Sequence, residues 1–313
     1  MKTPIAVFLY NRPNYTQSVL KSLEKCRRLE ECQVILFSDG PKGEKDAAAV
    51  DATRTIAEKW ATVNNAELVK RPANLGLARS IIGGVGELCS QYGRAIVLED
   101  DFMVNPYFLD YMLQSLDHYQ DEEKVAQVSG YLHPLKNLPN KDIYLLPLYT
   151  TRGWGTWDRV WAKVDWESKE APALIQDAGA SYLFDLEDSY PFKEMLINRL
   201  NKINEAWEAD FWLYVFLHKM LVVFPHQSLV WVGGFDGTGV HSGNKRVRQK
   251  PYNQVMGFRY GKKILFPDQL ETDKLVFSKV KEFLRCRNKS PSLTRRVKNK
   301  WLQIIGDDRP ETI

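Results

Sequence analysis

The first half of the chain alternates short, continuous apolar runs with longer stretches of helical periodicity. The amphipathic stretches predict helices at 13–25, 43–61, 76–91 and 106–119. The apolar runs predict five strands, at 5–10, 33–37, 66–70, 95–98 and 125–131. Strands that alternate with helices indicate βαβ units, and continuous apolar strands fit a parallel sheet covered on both faces. The predicted fold class is therefore α/β, with a mostly parallel central sheet flanked by helices.

The second half is less regular and rich in tryptophan. Residues 150–166 read TTRGWGTWDRVWAKVDW, and they contain four of the nine tryptophans of the chain. Helical patterns follow near 183–203 and 208–221, and then a basic C-terminal stretch. No repeat and no obvious linker separates the two halves, so we expect them to share one core.

Composition and charge narrow the classes of protein only slightly. The 313 residues are 44% apolar and 26% charged, which is ordinary for a globular protein. The formal net charge of +4 is too small to argue for a nucleic-acid partner. The four cysteines form no CxxC pair, as expected for free thiols in a reducing compartment. The longest apolar stretch, 211–225, is interrupted by His218 and Lys219 and is shorter than the ~20 residues that span a bilayer. We therefore expect a soluble, cytoplasmic protein.

Polar side chains follow three of the predicted strands at the point where each strand ends. Asn11 and Arg12 come after the first strand, Asp39 after the second, and Glu99-Asp100-Asp101 after the fourth. In an open parallel sheet, ligands bind beyond the carboxyl ends of the strands. The coincidence of three such ends is stronger evidence for a site than any one of them, since a single acid after a strand is usually a turn former.

Three adjacent carboxylates at one strand end have two chemical uses. They can hold a divalent cation through oxygen ligands, or they can share a proton as a general acid and base. The structural alternative is a solvated acidic loop. The apolar residues Phe102 and Met103 argue against it, because they indicate that the chain returns to the protein interior. Mg²⁺ is usually held by one or two carboxylates and by substrate phosphates, so a short acidic turn suits a nucleotide diphosphate. The sequence contains no Walker loop, no GxGxxG after the first strand, no HExxH and no GxSxG.

Five further side chains are candidates, each with a structural alternative. Arg12 and Arg79 could meet phosphate oxygens, or they could form surface ion pairs. Asp210 could be a general base, or a first-turn acid that the helix dipole favours. Trp154, which has a glycine on each side, could stack on a sugar or pack in the core. His241 could contact a metal or a phosphate, or it could be an ordinary loop histidine.

Together these pieces resemble a known family. The chain resembles GT-A glycosyltransferases in four short segments. These are Asn-Arg, Ser-Asp-Gly and Glu-Asp-Asp at the ends of strands, and Asn-Leu-Gly at the start of a helix. The resemblance is to the N-acetylglucosaminyltransferase I type and its bacterial relatives in surface-polysaccharide synthesis, and it covers about residues 3–245. The second half matches mainly through its Gly-Trp-Gly, Glu-Ala-Asp-Phe-Trp and Gly-Thr-Gly-Val-His-Ser segments.

The resemblance implies a nucleotide-sugar site in the first half of the chain. Backbone near Phe8 and Tyr10, together with Asp39, would hold the nucleotide base, and Arg12 would contact the diphosphate. Arg79, one turn into the helix that follows Asn-Leu-Gly, is the second candidate for phosphate contact.

The resemblance also implies roles for the acidic motif. Glu99, Asp100 and Asp101 stand where the family has its DxD-type motif. Asp101 would be the metal ligand, for Mn²⁺ or Mg²⁺, and Asp100 would lie near the ribose or the sugar.

In the second half, the resemblance implies the catalytic base and the sugar pocket. Asp210 would be the base of an inverting enzyme, Trp154 and Gly155 would line the sugar pocket, and His241 would lie in a loop over the donor. Three segments are expected: 1–131 for the nucleotide sugar, 132–270 for the acceptor and catalysis within the same domain, and a basic extension at 271–313.

The implied function is transfer of a hexosyl or N-acetylhexosaminyl group from a nucleotide-diphosphate sugar, with UDP favoured, to a glycan or a lipid-linked acceptor. A sugar-phosphate nucleotidyltransferase is one alternative, although it would need a Gly-rich basic loop after the first strand. A non-catalytic carbohydrate-binding module on the same fold is the other.

The basic extension has two interpretations. Residues 279–300 carry nine Lys or Arg and one Glu, interleaved with apolar positions. They could form a solvated basic helix, or 279–305 could make peripheral contact with anionic lipid at the inner face of the membrane.

Overall fold

The computed structural model describes residues 2–233 and 263–288. Among these residues the strands are β1 (Thr3–Leu9), β2 (Cys32–Ser38), β3 (Glu67–Lys70), β4 (Arg94–Glu99), β5 (Phe102–Val104), β6 (Val125–Ser129), β7 (Ile143–Leu146), β8 (Trp154–Trp157), β9 (Leu221–Pro225) and β10 (Val230–Val232).

The helices of the described residues connect and cover these strands. They are α1 (Pro13–Leu23), α2 (Glu44–Asn64), α3 (Leu77–Tyr92), α4 (Phe108–His118), α5 (Asp158–Trp161), α6 (Ala171–Gln176), α7 (Ala178–Phe184), α8 (Phe192–Leu200), α9 (Trp207–Leu217) and α10 (Lys274–Asn288). Among them, no helix combines the length and the apolar character needed to cross a bilayer.

Eight of the strands form one sheet in the order β3-β2-β1-β4-β8-β6-β9-β7. Among these strands, four neighbouring pairs are parallel and three are antiparallel. The predicted α/β class with a mostly parallel sheet is confirmed. The chain runs outward from β1 to β3 and then returns to the other side of β1 as β4, which creates a switch point between β1 and β4. Ligands bind at such points in open α/β sheets.

The antiparallel strand β8 links the two halves of the sheet. It lies between β4 and β6 and pairs antiparallel with both. Since β4 and β6 therefore run in the same direction, the carboxyl ends of β1, β2, β4 and β6 share one edge. The sheet thus contains strands from both halves of the chain.

Two helices predicted in the second half are shorter than their apolar patterns. The predicted helix near 183–203 is interrupted between α7 and α8, where Leu186, Glu187 and Asp188 all have positive φ, between 52° and 58°. The predicted helix 208–221 ends at Leu217, because Lys219 adopts a φ of 51° and the apolar run that follows becomes β9. Positive φ is sterically unfavourable for residues with a Cβ atom and breaks a right-handed helix.

The tryptophan-rich segment forms part of the core. The rings of Trp154 and Trp161 lie 5.4 Å apart, and those of Trp154 and Trp207 lie 5.7 Å apart. Phe211 packs against both Trp154 and Trp161. This cluster joins β8, α5 and α9 beneath the edge of the sheet where the polar strand ends meet.

Candidate functional site

The acidic residues lie in a tight turn, which we call the acid turn (Glu99, Asp100 and Asp101), between β4 and β5. Phe8 of β1 is in register with Glu99 of β4, so the acid turn begins beside the end of β1. Asp100 and Asp101 are buried, at 3% and 8% exposure. The backbone N–H of Gly233, at the end of β10, donates to the carbonyl of Asp101 at 2.8 Å. The turn is therefore held from both sides by backbone contacts.

Arg12 connects the end of β1 with the acid turn. Its guanidinium lies 3.1 Å from a carboxylate oxygen of Asp100 and 2.9 Å from one of Asp101. Burial alone would lower the pKa of Arg12, but the nearby charges of Asp100 and Asp101 raise it above its ordinary value. A planar guanidinium can span two oxygen acceptors in this way, and it can do the same for a diphosphate.

The setting of the acid turn disfavours full ionisation. Burial raises the pKa of Asp100 to about 7, although Arg12 opposes this shift. Burial, Asp101 and Asp100 raise the pKa of the half-buried Glu99 well above its ordinary value. Three crowded carboxylates carry less repulsion if one or more holds a proton, or if a cation lies among them.

Asp39, at the end of β2, has its carboxylate engaged by the protein. The backbone N–H groups of Gly40, Leu75 and Gly76 donate to it at 2.8 to 3.0 Å, as does the side-chain amide of Asn74 at 3.0 Å. Asp39 therefore fixes the loop that precedes α3 against the end of β2. A Cβ atom on Gly40 would lie 2.5 Å from the backbone of Ala73, so only glycine permits this approach.

The other predicted donor-site residues of the first half surround this edge. The Phe8 ring is buried and stacks on Phe37 at 5.1 Å. The Tyr10 hydroxyl donates to the Asp46 carboxylate, and burial followed by that hydrogen bond raises the pKa of Tyr10 to about 12. The Arg79 side chain is exposed at the start of α3. It forms no ion pair with any residue of 2–233 or 263–288.

Asp210, in the first turn of α9, is almost completely buried, at 1% exposure. The Ser168 hydroxyl donates to one of its carboxylate oxygens at 2.8 Å, and Arg199 donates to the other at 3.0 Å. Burial raises the pKa of Asp210, while Ser168 and Arg199 oppose the shift. This arrangement ties α9 to α8 and to the loop before α6.

Glu208, two residues earlier in α9, lies toward the acid turn. It is half-buried, and its charge adds to the rise in the pKa of Glu99. It also lines a cavity together with Tyr149 and Arg152. Side chains at i and i+2 point to different sides of a helix, so Glu208 and Asp210 cannot face the same space. Glu208 and Asp210 belong to the same sequence motif, and only the packing of α9 gives them different surroundings.

Trp154 and Gly155, predicted to line a sugar pocket, lie in β8. Trp154 has 0% exposure and is surrounded by the aromatic cluster described above. Gly155 pairs with Ile96 and Val128 of the neighbouring strands, and a Cβ atom there would lie 3.0 Å from Met112. The structure places both residues within the sheet rather than on an open surface. His241 lies outside the described residues.

The acid turn can accommodate a cation that substrate oxygens complete. Within residues 2–233 and 263–288, no group of three or more His, Cys, Asp or Glu side chains is arranged to hold a metal ion. Arg12 contacts only Oδ2 of Asp101, and no described residue donates to Oδ1. A carboxylate oxygen to which no described residue donates fits Mg²⁺ or Mn²⁺ chemistry, in which one or two carboxylates are joined by phosphates.

Comparison with known proteins identifies similar solved structures. No family model matches the chain. It is similar to S. aureus TarS 1–349, at 15% identity over 75% of this chain and 61% of that one, with a TM-score of 0.44. It is also similar to glucosyl-3-phosphoglycerate synthase from Mycobacterium tuberculosis in complex with Mn²⁺, UDP-glucose and phosphoglyceric acid. That match has 10% identity over 50% of this chain and 57% of that one, with a TM-score of 0.32. The matched regions span less than two thirds of the length of each of these two proteins.

Proposed function

We propose that the protein is an inverting, metal-dependent glycosyltransferase of the GT-A type. It moves a sugar from a nucleotide-diphosphate sugar, with UDP as the favoured nucleotide, to a hydroxyl group of a glycan or a lipid-linked acceptor. The observation that carries the proposal is the meeting of one guanidinium and two buried aspartates at the switch point between β1 and β4.

The donor would lie across the ends of β1, β2 and β4. Arg12 is positioned to exchange its aspartate partners for diphosphate oxygens, since a guanidinium can bind a carboxylate or a phosphate group through two parallel hydrogen bonds. The nucleotide base would lie against the backbone near Phe8 and Tyr10, next to the loop that Asp39 fixes. Arg79, exposed at the start of α3, is available for a second phosphate contact.

Asp101 is the proposed protein ligand of Mn²⁺ or Mg²⁺, and Asp100 is proposed to lie near the ribose or the sugar. The cation, when bound, would neutralise the negative charge that develops on the diphosphate leaving group. Arg12, which lies 2.9 Å from Oδ2 of Asp101, would contribute to the same neutralisation.

Two acids of α9 compete for the role of general base. Asp210 is the candidate from the sequence motif, but Ser168 and Arg199 occupy both of its oxygens. Accessibility favours Glu208, which is half-buried, lines a cavity and lies close enough to raise the pKa of Glu99. We therefore propose Glu208 as the base and Asp210 as the residue that positions α9.

The proposed transfer is a single displacement. The acceptor hydroxyl loses its proton to Glu208 while its oxygen forms a bond to the anomeric carbon of the donor sugar. The bond between that carbon and the diphosphate oxygen breaks, and the electron pair leaves with the diphosphate. The anomeric configuration is thereby inverted, because the acceptor attacks from the face opposite the leaving group.

The division of the chain into three segments forms part of the same proposal. Residues 1–131 would bind the donor, 132–270 would bind the acceptor, and 271–313 would extend the acceptor side. Contact of 279–305 with the inner face of a membrane stays a prediction. Within α10, Lys281 and Arg285 instead bind Glu187 and Ser189 of the protein itself.

Product formation from a panel of nucleotide sugars tests the proposed function. Mn²⁺ with UDP should raise the melting temperature of the protein, and release of UDP from one UDP-sugar should require both metal and acceptor. Release of pyrophosphate from a sugar phosphate and a nucleoside triphosphate would identify a nucleotidyltransferase instead. No stabilisation by any nucleotide diphosphate would favour the non-catalytic module.

A further inference from the structure

A cavity lies on the acceptor side of the sheet edge, and the proposed function does not account for its chemistry. Its volume is about 160 Å³, compared with the ~30 Å³ that each water occupies in the liquid. Residues from the end of β6, from the segment after β7, and from α8, α9 and α10 line it. We call it the arginine cavity, because two guanidinium groups, those of Arg152 and Arg287, contribute to its wall.

Among the described residues that line the cavity, Arg152 and Arg287 carry positive charge and Glu208 carries negative charge. The guanidinium carbon of Arg152 lies 4.7 Å from the centre of the Tyr131 ring, a cation–π contact that orients the side chain. His133 also lines the cavity, and burial followed by the charges of Arg152 and Arg287 lowers its pKa well below the ordinary value. His133 is therefore neutral at pH 7, and the two guanidinium groups supply the positive charge.

Other residues in the wall of the cavity are suited to hydroxyl groups. Tyr149 and Tyr190 present aromatic rings with polar ends, which pack against the apolar faces of polyols and sugars while their hydroxyls donate or accept. Glu208 lies in this wall too, so the proposed general base faces the same cavity as the two arginines. A molecule that contacts Arg152 with one end can thus bring a hydroxyl to Glu208.

Arg287 reaches the cavity because α10 is firmly docked. Val276, Val280 and Leu284 of α10 are buried against the fold. The ammonium group of Lys281 lies 2.6 Å from a carboxylate oxygen of Glu187, in the left-handed segment between α7 and α8. Arg285 donates to the carbonyl of Glu187 at 3.2 Å and to the Ser189 hydroxyl at 3.1 Å. The start of the basic extension is therefore a wall of the cavity.

We propose that the arginine cavity binds an acceptor that carries an anionic oxyacid group, a phosphate ester or a carboxylate, on a polyhydroxy chain. Arg152 and Arg287 hold the anionic group through charge-assisted hydrogen bonds, and the aromatic wall holds the polyol beside Glu208. This specificity deepens the proposed function and rests on it. It also gives the first turns of the basic extension a role in acceptor selection.

Titration calorimetry at constant ionic strength tests this assignment with three small probes. They are glycerol 1-phosphate, gluconate and glycerol, which present a phosphate ester, a carboxylate and no charge on similar polyols. Wild-type protein should bind at least one of the two anions at least tenfold more tightly than glycerol. The tighter of the two identifies the oxyacid group.

Matched variants locate the binding. Arg152→Gln and Arg287→Gln should each weaken binding of the preferred anion at least tenfold, whereas Lys274→Gln, at an exposed position on α10 outside the cavity, should leave it unchanged. If Arg152→Gln does not fold, Arg287→Gln decides the question, since the Arg287 side chain is exposed. Equal anion affinity in wild type and Arg287→Gln, or no preference for the anions over glycerol, would overturn the assignment.

Binding of UDP with Mn²⁺ to the same proteins separates the two proposals. Anion binding that depends on Arg287, without any nucleotide binding, would overturn the proposed function and leave the anion site standing. Normal nucleotide binding without an Arg287-dependent anion site would overturn only the assignment of the arginine cavity.

Discussion

The acid turn and the Asp210 site both bury carboxylates beside an arginine, but they differ in how the carboxylate oxygens are used. In the acid turn, one guanidinium is shared by Asp100 and Asp101, and Oδ1 of Asp101 receives no hydrogen bond from any described residue. At Asp210, Ser168 and Arg199 take one oxygen each.

This difference shows that burial of an acid does not by itself identify a chemical role. Burial raises the pKa of both Asp100 and Asp210 above their ordinary values. What separates the two sites is the number of oxygens that remain for a ligand. A buried carboxylate whose partners are complete stabilises the fold, while one with a spare acceptor can bind a substrate or a cation.

The largest expected effect is on turnover. Glu208→Gln keeps the size of the side chain but removes its ability to take a proton, so kcat for sugar transfer should fall by about 10²–10⁴-fold. The affinity of this variant for UDP in the presence of Mn²⁺ should stay within about twofold of the wild-type affinity. Full transfer activity in this variant would remove Glu208 from the base role and return it to Asp210.

The second largest expected effect is on stability. Asp210→Asn leaves Arg199 without its buried carboxylate partner, which should lower the free energy of unfolding by about 3 kcal/mol. The loss is measured by urea denaturation. Glu167→Gln is the matched control, because Glu167 forms only an exposed pair with Lys169, and its effect should be within ~0.5 kcal/mol. Wild-type stability together with abolished transfer in Asp210→Asn would instead identify Asp210 as the base.

The sequence predicts which polar residues meet at the acid turn. The apolar strand pattern fixes where β1, β2 and β4 end, and parallel topology then brings Arg12, Asp39 and the acid turn to one edge without further information. Signals of this kind can be read from the sequence because each depends only on the polarity of residues that are neighbours in the chain. The order of the strands, and with it the switch point between β1 and β4, comes from the structure, because the same alternation of strands and helices fits more than one strand order.

The sequence does not predict the surroundings of Asp210 and Glu208 or the arginine cavity. The roles of Glu208 and Asp210 depend on how α9 is rotated against α8. Beyond its first turn α9 carries apolar residues on all sides, so the periodicity does not identify a buried face. The arginine cavity combines Arg152 with Arg287, which are far apart in the chain and meet only through the docking of α10. The left-handed segment between α7 and α8, which receives that helix, begins with Leu186 and Glu187, which do not signal positive φ, and only its third residue, Asp188, is of a type enriched there.

The third prediction concerns the spare oxygen of the acid turn. Asp101→Asn should weaken Mn²⁺-dependent binding of UDP by at least ~10–100-fold, the loss typical even of residues that only support a metal ligand. Calorimetry of UDP with and without Mn²⁺ measures the change. The free energy of unfolding should change less than in Asp210→Asn, since Arg12 would keep the carboxylate of Asp100 as a partner. Unchanged metal dependence would remove Asp101 as a ligand.

The smallest effect is expected where charge is kept and only geometry changes. Arg12→Lys retains a cation beside Asp100 and Asp101 but loses the planar fork that contacts both at 3.1 and 2.9 Å. UDP affinity in the presence of Mn²⁺ should fall by about three- to tenfold, equivalent to roughly 1 kcal/mol, the net contribution of one ordinary hydrogen bond. Lys70→Gln, at an exposed pair with Glu58, is the control and should bind UDP as wild type does. If Arg12→Lys also binds as wild type does, Arg12 belongs with Arg199 as a partner of buried acids, and the contrast between the two sites rests on Asp101 alone.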